Sequence, residues 1–212
     1  FFARRVIFVE GAAELMLVDA LATLMGLDLR EFGVSLISVE GLNFDSFLPL
    51  FGEDALKIPV SVITDADPVS EADETGETLA VYPTFDEEIR VSNNTARMKK
   101  NEDSLVKVFC GLKTLEYDLA LVDVNRTAML AALRNMHPRI AQDLQTKVEE
   151  EEGDAAKART LFSGMFERKQ NNVQKGRFGQ SLAQVIAEGN AFVVPDYIQN
   201  AISHACQTAE AK

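Results

Sequence analysis

The sequence predicts an α/β protein in which a parallel sheet is flanked by helices and followed by an additional α-helical subdomain. Two observations carry this reading. Short β-branched strand patterns alternate with turns and helical patterns through the first half of the chain, and beyond residue 118 the apolar periodicity is helical to the end. Alternating strands and helices imply right-handed crossovers with helices covering the sheet. They also place a functional crevice at the carboxyl ends of the strands.

The first strand is read at 6–9, where Val6-Ile7-Phe8-Val9 runs into Glu10-Gly11. A helix follows over 12–25, because Leu15, Val18, Ala22 and Met25 recur at three- and four-residue intervals and Gly26 supplies a stop. Residues 34–39 read as a strand, 43–50 as a short helix capped by Asn43, and 58–63 as a third, buried strand. From about 67 to 104 the pattern gives way to a polar, acidic excursion from the sheet containing Pro68, Gly76 and Pro83. A fourth strand is expected at 105–110. Residues 111–118 then lead into helices at 119–135, 138–151, 155–171, 177–188 and 195–206. The expected organisation is a catalytic domain over 1–116 and a helical subdomain over 117–212 that completes the active site.

The 212 residues are enough to bury a sizeable core, and 47% hydrophobic with 25% charged residues is ordinary for a globular protein. Cys110 and Cys206 are far apart and His137 and His204 are isolated, so neither a disulfide framework nor a zinc site is expected. No apolar run approaches the ~20 residues needed to span a bilayer, and the start lacks a signal peptide, so a cytoplasmic protein without membrane contact is expected. A start without methionine, a few residues before a strand, suggests a piece of something longer. The net charge of −12 argues against nucleic-acid binding by simple charge attraction. Two physical routes around that objection exist: carboxylates neutralised by divalent cations, or a basic surface on another part of the protein.

Four carboxylates make the first route concrete. Glu10 ends the first strand, Glu14 lies in the first turn of the next helix, and Asp65 and Asp67 leave the third strand, where alternation in an extended chain would aim both to one side. Taken singly, each has an ordinary structural explanation as a helix-terminus or turn residue. Converging on one crevice, they would repel one another and raise one another's pKa values unless cations neutralised them. A cluster of oxygen donors without His or Cys suits Mg²⁺ or Mn²⁺. Two such ions a few ångströms apart are the apparatus of phosphodiester hydrolysis.

Val9-Glu10-Gly11-Ala12-Ala13-Glu14 and Thr64-Asp65-Ala66-Asp67, each after an apolar strand, resemble the glutamate and DxD motifs of Toprim domains, whose sheet is Rossmann-like. Four further stretches are similar to the overcoming-lysogenisation-defect nucleases across nearly the whole chain. These are Gly26-Leu27-Asp28-Leu29 before Gly33-Val34-Ser35, Val39-Glu40-Gly41-Leu42-Asn43-Phe44, Thr114-Leu115-Glu116-Tyr117-Asp118-Leu119, and Lys175-Gly176-Arg177-Phe178. Leu42 departs from the family's glycine before the Asn-Phe pair.

The resemblance implies a Mg²⁺- or Mn²⁺-dependent DNA endonuclease using two ions, with Glu10, Glu14, Asp65, Asp67 and Glu116 as ligands and Asp65 bridging. Asp118 competes with Glu116 for the fifth place. It further implies Lys175 as the cation on the phosphate, a role Arg177 could share, and Glu10 as an acid/base, as the first glutamate is regarded in related topoisomerases. In its full-length form such a protein carries an N-terminal ABC-type ATPase and dimerises. This chain holds no GxxxxGK[ST] phosphate loop, so ATP dependence would belong to that other domain. An RNA-processing Toprim maturase and a non-catalytic metal-binding interaction module are the alternatives.

Overall fold

A computed structural model describes residues 3–41, 43–69 and 80–206. Leu42 of the 39–44 motif and residues 70–79 of the acidic excursion lie outside the described residues. Four strands, β1 (Arg5–Val9), β2 (Val34–Ser38), β3 (Val60–Thr64) and β4 (Val106–Cys110), form one parallel sheet in the order β2-β1-β3-β4. The expected α/β architecture is therefore present.

Side-chain alternation divides the sheet between two apolar layers. On one side Ile7, Val9 and Ile63 meet Leu17, Val18 and Leu21 of helix α1 (Ala12–Leu24) and Ile198 and Ile202 of helix α8 (Asp196–Cys206). On the other, Val6, Phe8, Val60, Val62, Val106 and Val108 pack on Phe44, Leu48 and Phe51, with Met98 of helix α2 (Asn93–Lys99). Ser61 sits in the sheet facing α8 and donates its hydroxyl to the Ala201 carbonyl at 2.8 Å, which fixes that helix across the strands.

The remaining helices are α3 (Leu115–Leu121), α4 (Asp123–Met136), α5 (Pro138–Glu150), α6 (Asp154–Phe166) and α7 (Lys175–Ala187). Their apolar residues belong to the same core as α1 and one face of the sheet. Among the described residues, no helix is long and apolar enough to cross a membrane.

Several boundaries differ from the sequence reading for identifiable reasons. The expected helix at 119–135 is two helices that part at Val122, which has extended backbone (φ −84°, ψ 118°). Arg126, buried, turns back and donates to the Ala120 carbonyl at 3.0 Å, satisfying the end of α3 where a continuous helix would have used its own amides. Residues 43–50 form two 3-10 turns, and Asn43 donates its side-chain amide to the Val39 and Glu40 carbonyls instead of capping a helix. The polar excursion contains α2, capped by the Ser92 hydroxyl accepting from the Thr95 amide at 3.1 Å. Helix α6 stops at Phe166 rather than 171, and the chain returns through Val173, whose amide donates to the Met165 carbonyl at 2.9 Å.

The contact that seats α7 on α1 depends on missing side chains. A Cβ at Gly179 would lie 2.9 Å from both Cα and the carbonyl oxygen of Ala13, and one at Gly176 would lie 3.0 Å from Ala13's neighbour Ala12. Backbone cannot yield as a side chain can. Gly179→Val should therefore lower stability by about 1–3 kcal/mol, read as a lower urea midpoint at unchanged slope; an unchanged midpoint would show that the two helices do not need this approach.

Candidate active site

The sheet order makes β1 and β3 neighbours, so the residues that leave their carboxyl ends meet. Glu10, one residue past β1, accepts through Oε1 from the Asp65 amide at 2.9 Å and from the Thr64 hydroxyl. Asp65, one residue past β3, accepts through Oδ1 from the Leu115 amide at 3.1 Å, the first residue of α3. Glu14 folds back in the first turn of α1, its Oε2 accepting from the Gly11 amide at 3.2 Å. That is a reach from the third helical position to the cap, which satisfies an otherwise orphaned donor.

Glu116 enters from α3 with no solvent exposure. Its Oε2 accepts from the Thr114 hydroxyl at 3.2 Å and lies 2.8 Å from the Lys175 ammonium, which remains 44% exposed at the start of α7. Its Oε1 is buried and has no hydrogen-bond partner. A buried carboxylate oxygen without a partner is costly, and such a group calls for an explanation.

The electrostatics point the same way. Burial, then the charge on Glu10, drive Asp65 well above the usual carboxylate range, with Lys175 opposing and Glu116 and Glu14 adding to the rise. Burial also raises Glu14; its hydrogen bond from backbone opposes, and Glu116 and Glu10 reinforce. Lys175 is pushed up despite its own burial, because Glu116, Asp65 and Glu14 surround it. It is therefore a fixed cation at neutral pH. Glu116, Asp65 and Glu14 act on one ammonium, and Glu10 bears on Asp65 and Glu14, so the carboxylates at this edge outnumber the cation they share.

Asp67 and Asp118 stand apart from this group. Asp67 is exposed, with left-handed backbone (φ 44°), so extended-chain alternation does not decide where it points. It is not among the main charges acting on Asp65. Asp118 is buried and uses both oxygens on backbone, accepting from Leu112 at 3.0 Å and Lys113 at 3.1 Å. Burial raises it to about 7 against those two bonds. A Cβ at Gly111 would overlap its carboxylate. Asp118 thus shapes the turn after β4, while Glu116 faces Lys175.

A hard divalent cation fits this donor set, which is all oxygen, carries surplus negative charge and leaves one buried oxygen unpartnered. As the side chains stand, no three of the described His, Cys, Asp or Glu residues converge closely enough to hold an ion. Their oxygens lie on amides, hydroxyls and Lys175 instead. Thr64 and the Leu115 amide, which orient Glu10 and Asp65, escaped the sequence reading. The only trace of Thr64 was its place at the strand end before the acidic pair.

Comparison with known proteins bears on the fold that carries these residues. Residues 1–67 match the family model described as overcoming lysogenization defect protein-like, TOPRIM domain. The fold is similar to the C-terminal region of the Burkholderia pseudomallei OLD protein, at 24% identity and TM-score 0.63 over 97% of this chain and 98% of that one. It is also similar to the C-terminal region of the Xanthomonas campestris pv. campestris OLD protein, at 26% identity and TM-score 0.62 over 97% and 93%. No curated protein matches the chain.

Since folding raises Asp65, Glu14 and Asp118, the folded chain binds protons more tightly than the unfolded one, and these groups lower stability as pH rises. For Asp118 the window runs from 3.8 to about 7. Asp65→Asn keeps the acceptor for Leu115 and removes one charge. In a chelator, its thermal midpoint should exceed that of the unaltered protein by a margin that grows from pH 4 to pH 7. A margin independent of pH would contradict the raised Asp65 carboxyl, whose main cause is burial.

Proposed function

We propose that this chain, whose residues 1–67 match an OLD-like TOPRIM family model and whose fold is that of OLD C-terminal regions along its length, is a member of the overcoming-lysogenization-defect (OLD) family and a metal-dependent endonuclease hydrolysing DNA phosphodiester bonds. The observation that carries the reading is the crowding of Glu10, Glu14, Asp65 and Glu116 at one edge of the sheet, with Lys175 on Glu116 and one buried Glu116 oxygen unpartnered. Glu10, Glu14, Asp65, Asp67 and Glu116 would hold Mg²⁺ or Mn²⁺. Two such ions supply water activation at neutral pH and Lewis-acid stabilisation of the leaving oxygen.

The chain's own residues divide the remaining work. The Asp65 amide and Thr64 hydroxyl hold one oxygen of Glu10, fixing its carboxylate at the edge of the sheet, where it serves as ligand or proton acceptor. Lys175, protonated and partly exposed, moves from Glu116 to a phosphate oxygen and opposes the charge that develops there. Because Lys175 comes from α7, residues 117–212 act as a helical subdomain completing a catalytic domain that spans 1–116. An N-terminal ABC-type ATPase and dimerisation would govern when the full-length protein cuts.

Supercoiled plasmid nicking with Mg²⁺ or Mn²⁺ tests this. Asp65→Ala should abolish nicking, and Lys175→Ala should slow it by ~10²–10³-fold, the usual cost of losing a charge-stabilising donor. Nicking by Asp65→Ala at the unaltered rate would overturn the site.

A further inference from the structure

The net charge of −12 hides a local reversal. Between Glu167 and Glu188 there is no acidic residue, yet the interval holds Arg168, Lys169, Lys175 and Arg177. The acid at its first border is already occupied: Glu167 accepts from the Tyr82 hydroxyl and pairs with Lys113 at 3.6 Å. Arg159 lies over the same Tyr82 ring, 4.9 Å from its centre, adding a further cation to this face.

This interval forms the turn between α6 and α7 and the whole of α7. The turn has a defined shape. Val173 is buried with its amide on the Met165 carbonyl, and the Arg168 amide donates to Asn172 Oδ1 at 2.7 Å. Gln170, Asn171 and Gln174 are exposed beside Lys169. Arg177 lies one residue beyond Gly176, which approaches Ala12 at the start of α1, and it is exposed. Neither Lys169 nor Arg177 has an ion-pair partner among the described residues. Lys175, between them in sequence, touches the carboxylate group. The Lys175 ammonium also lies 6.0 Å from the centre of the Phe166 ring at the end of α6, so the turn that carries Lys169 starts beside the carboxylate group, and Arg177 follows Lys175 by two residues in α7.

Range decides whether this matters in so acidic a chain. At physiological salt the screening length is about 8 Å, so a bound strand responds to the charges beside it rather than to the total. We propose that the α6–α7 turn and the first turn of α7 grip the DNA phosphodiester backbone next to the scissile phosphate, with Lys169 and Arg177 each neutralising one phosphate. Gln170, Asn171 and Gln174 supply uncharged donors along the same strand. This rests on the nuclease reading and assigns that site a substrate-holding surface within this chain.

The test measures duplex DNA binding by anisotropy between 50 and 200 mM salt, in the full-length protein carrying Asp65→Ala to prevent cleavage. Adding Lys169→Gln and Arg177→Gln should weaken binding at low salt and reduce the slope of log affinity against log salt by about 2, one per lost phosphate contact. Thermal midpoint should not change. Lys57→Gln, at the opposite end of β3, should leave the slope intact. A steep slope retained by the double variant would overturn the surface while leaving the nuclease reading in place. Absence of DNA binding together with absence of nicking by the unaltered protein would overturn both.

Discussion

The desolvation of carboxylates crowded at one edge of a sheet, reinforced by their mutual repulsion, is the constraint around which this molecule is arranged. Glu10, Glu14, Asp65 and Glu116 sit at one edge of a parallel sheet, and Lys175 is the single ammonium among them. Burial raises Asp65 and Glu14, and neighbouring carboxylates raise them further. A fold free of functional demands would replace such a group with apolar side chains, since an uncompensated buried charge costs several kcal/mol. The arrangement makes physical sense when a stronger cation than lysine completes it.

The scaffold delivers these groups by short, rigid routes. Placing β1 beside β3 lets the Asp65 amide hold Glu10 directly, and the first amide of α3 holds Asp65 in turn. The side-chain-free contact between α7 and α1 brings Lys175 to the same point from the far half of the chain. A single apolar core joins the helices to one face of the sheet, so the carboxylates and Lys175 share one frame although they come from distant parts of the sequence. The same α7 that carries Lys175 lies in an acid-free, basic interval, which gives the acidic chain a local surface for a phosphate strand.

Much of this was legible in the sequence because the signals are local. The apolar runs Val6-Ile7-Phe8-Val9 and Val60 to Ile63 marked the two central strands, and strand ends located Glu10 and Asp65. What stayed hidden depends on contacts between distant residues. The break at Val122 follows from Arg126 folding back on α3, and the helix inside the polar excursion packs Met98 under the sheet. Asp67 leaves the strand on left-handed backbone, a turn that alternation in an extended chain did not anticipate. Lys175 and Glu116 lie far from the strand motifs and entered only through resemblance. The two backbone amides that Asp118 engages, which set its surroundings apart from those of Glu116, also left no trace in the sequence.

The direct measurement of the central claim is the thermal midpoint of the chain during titration with Mn²⁺ at neutral pH. Relief of carboxylate repulsion predicts a midpoint that rises with Mn²⁺ concentration and saturates, with the rise lost in Asp65→Asn, since a ligand bound only by the folded state stabilises it by mass action. A midpoint indifferent to Mn²⁺, or an equal rise in Asp65→Asn, would contradict it.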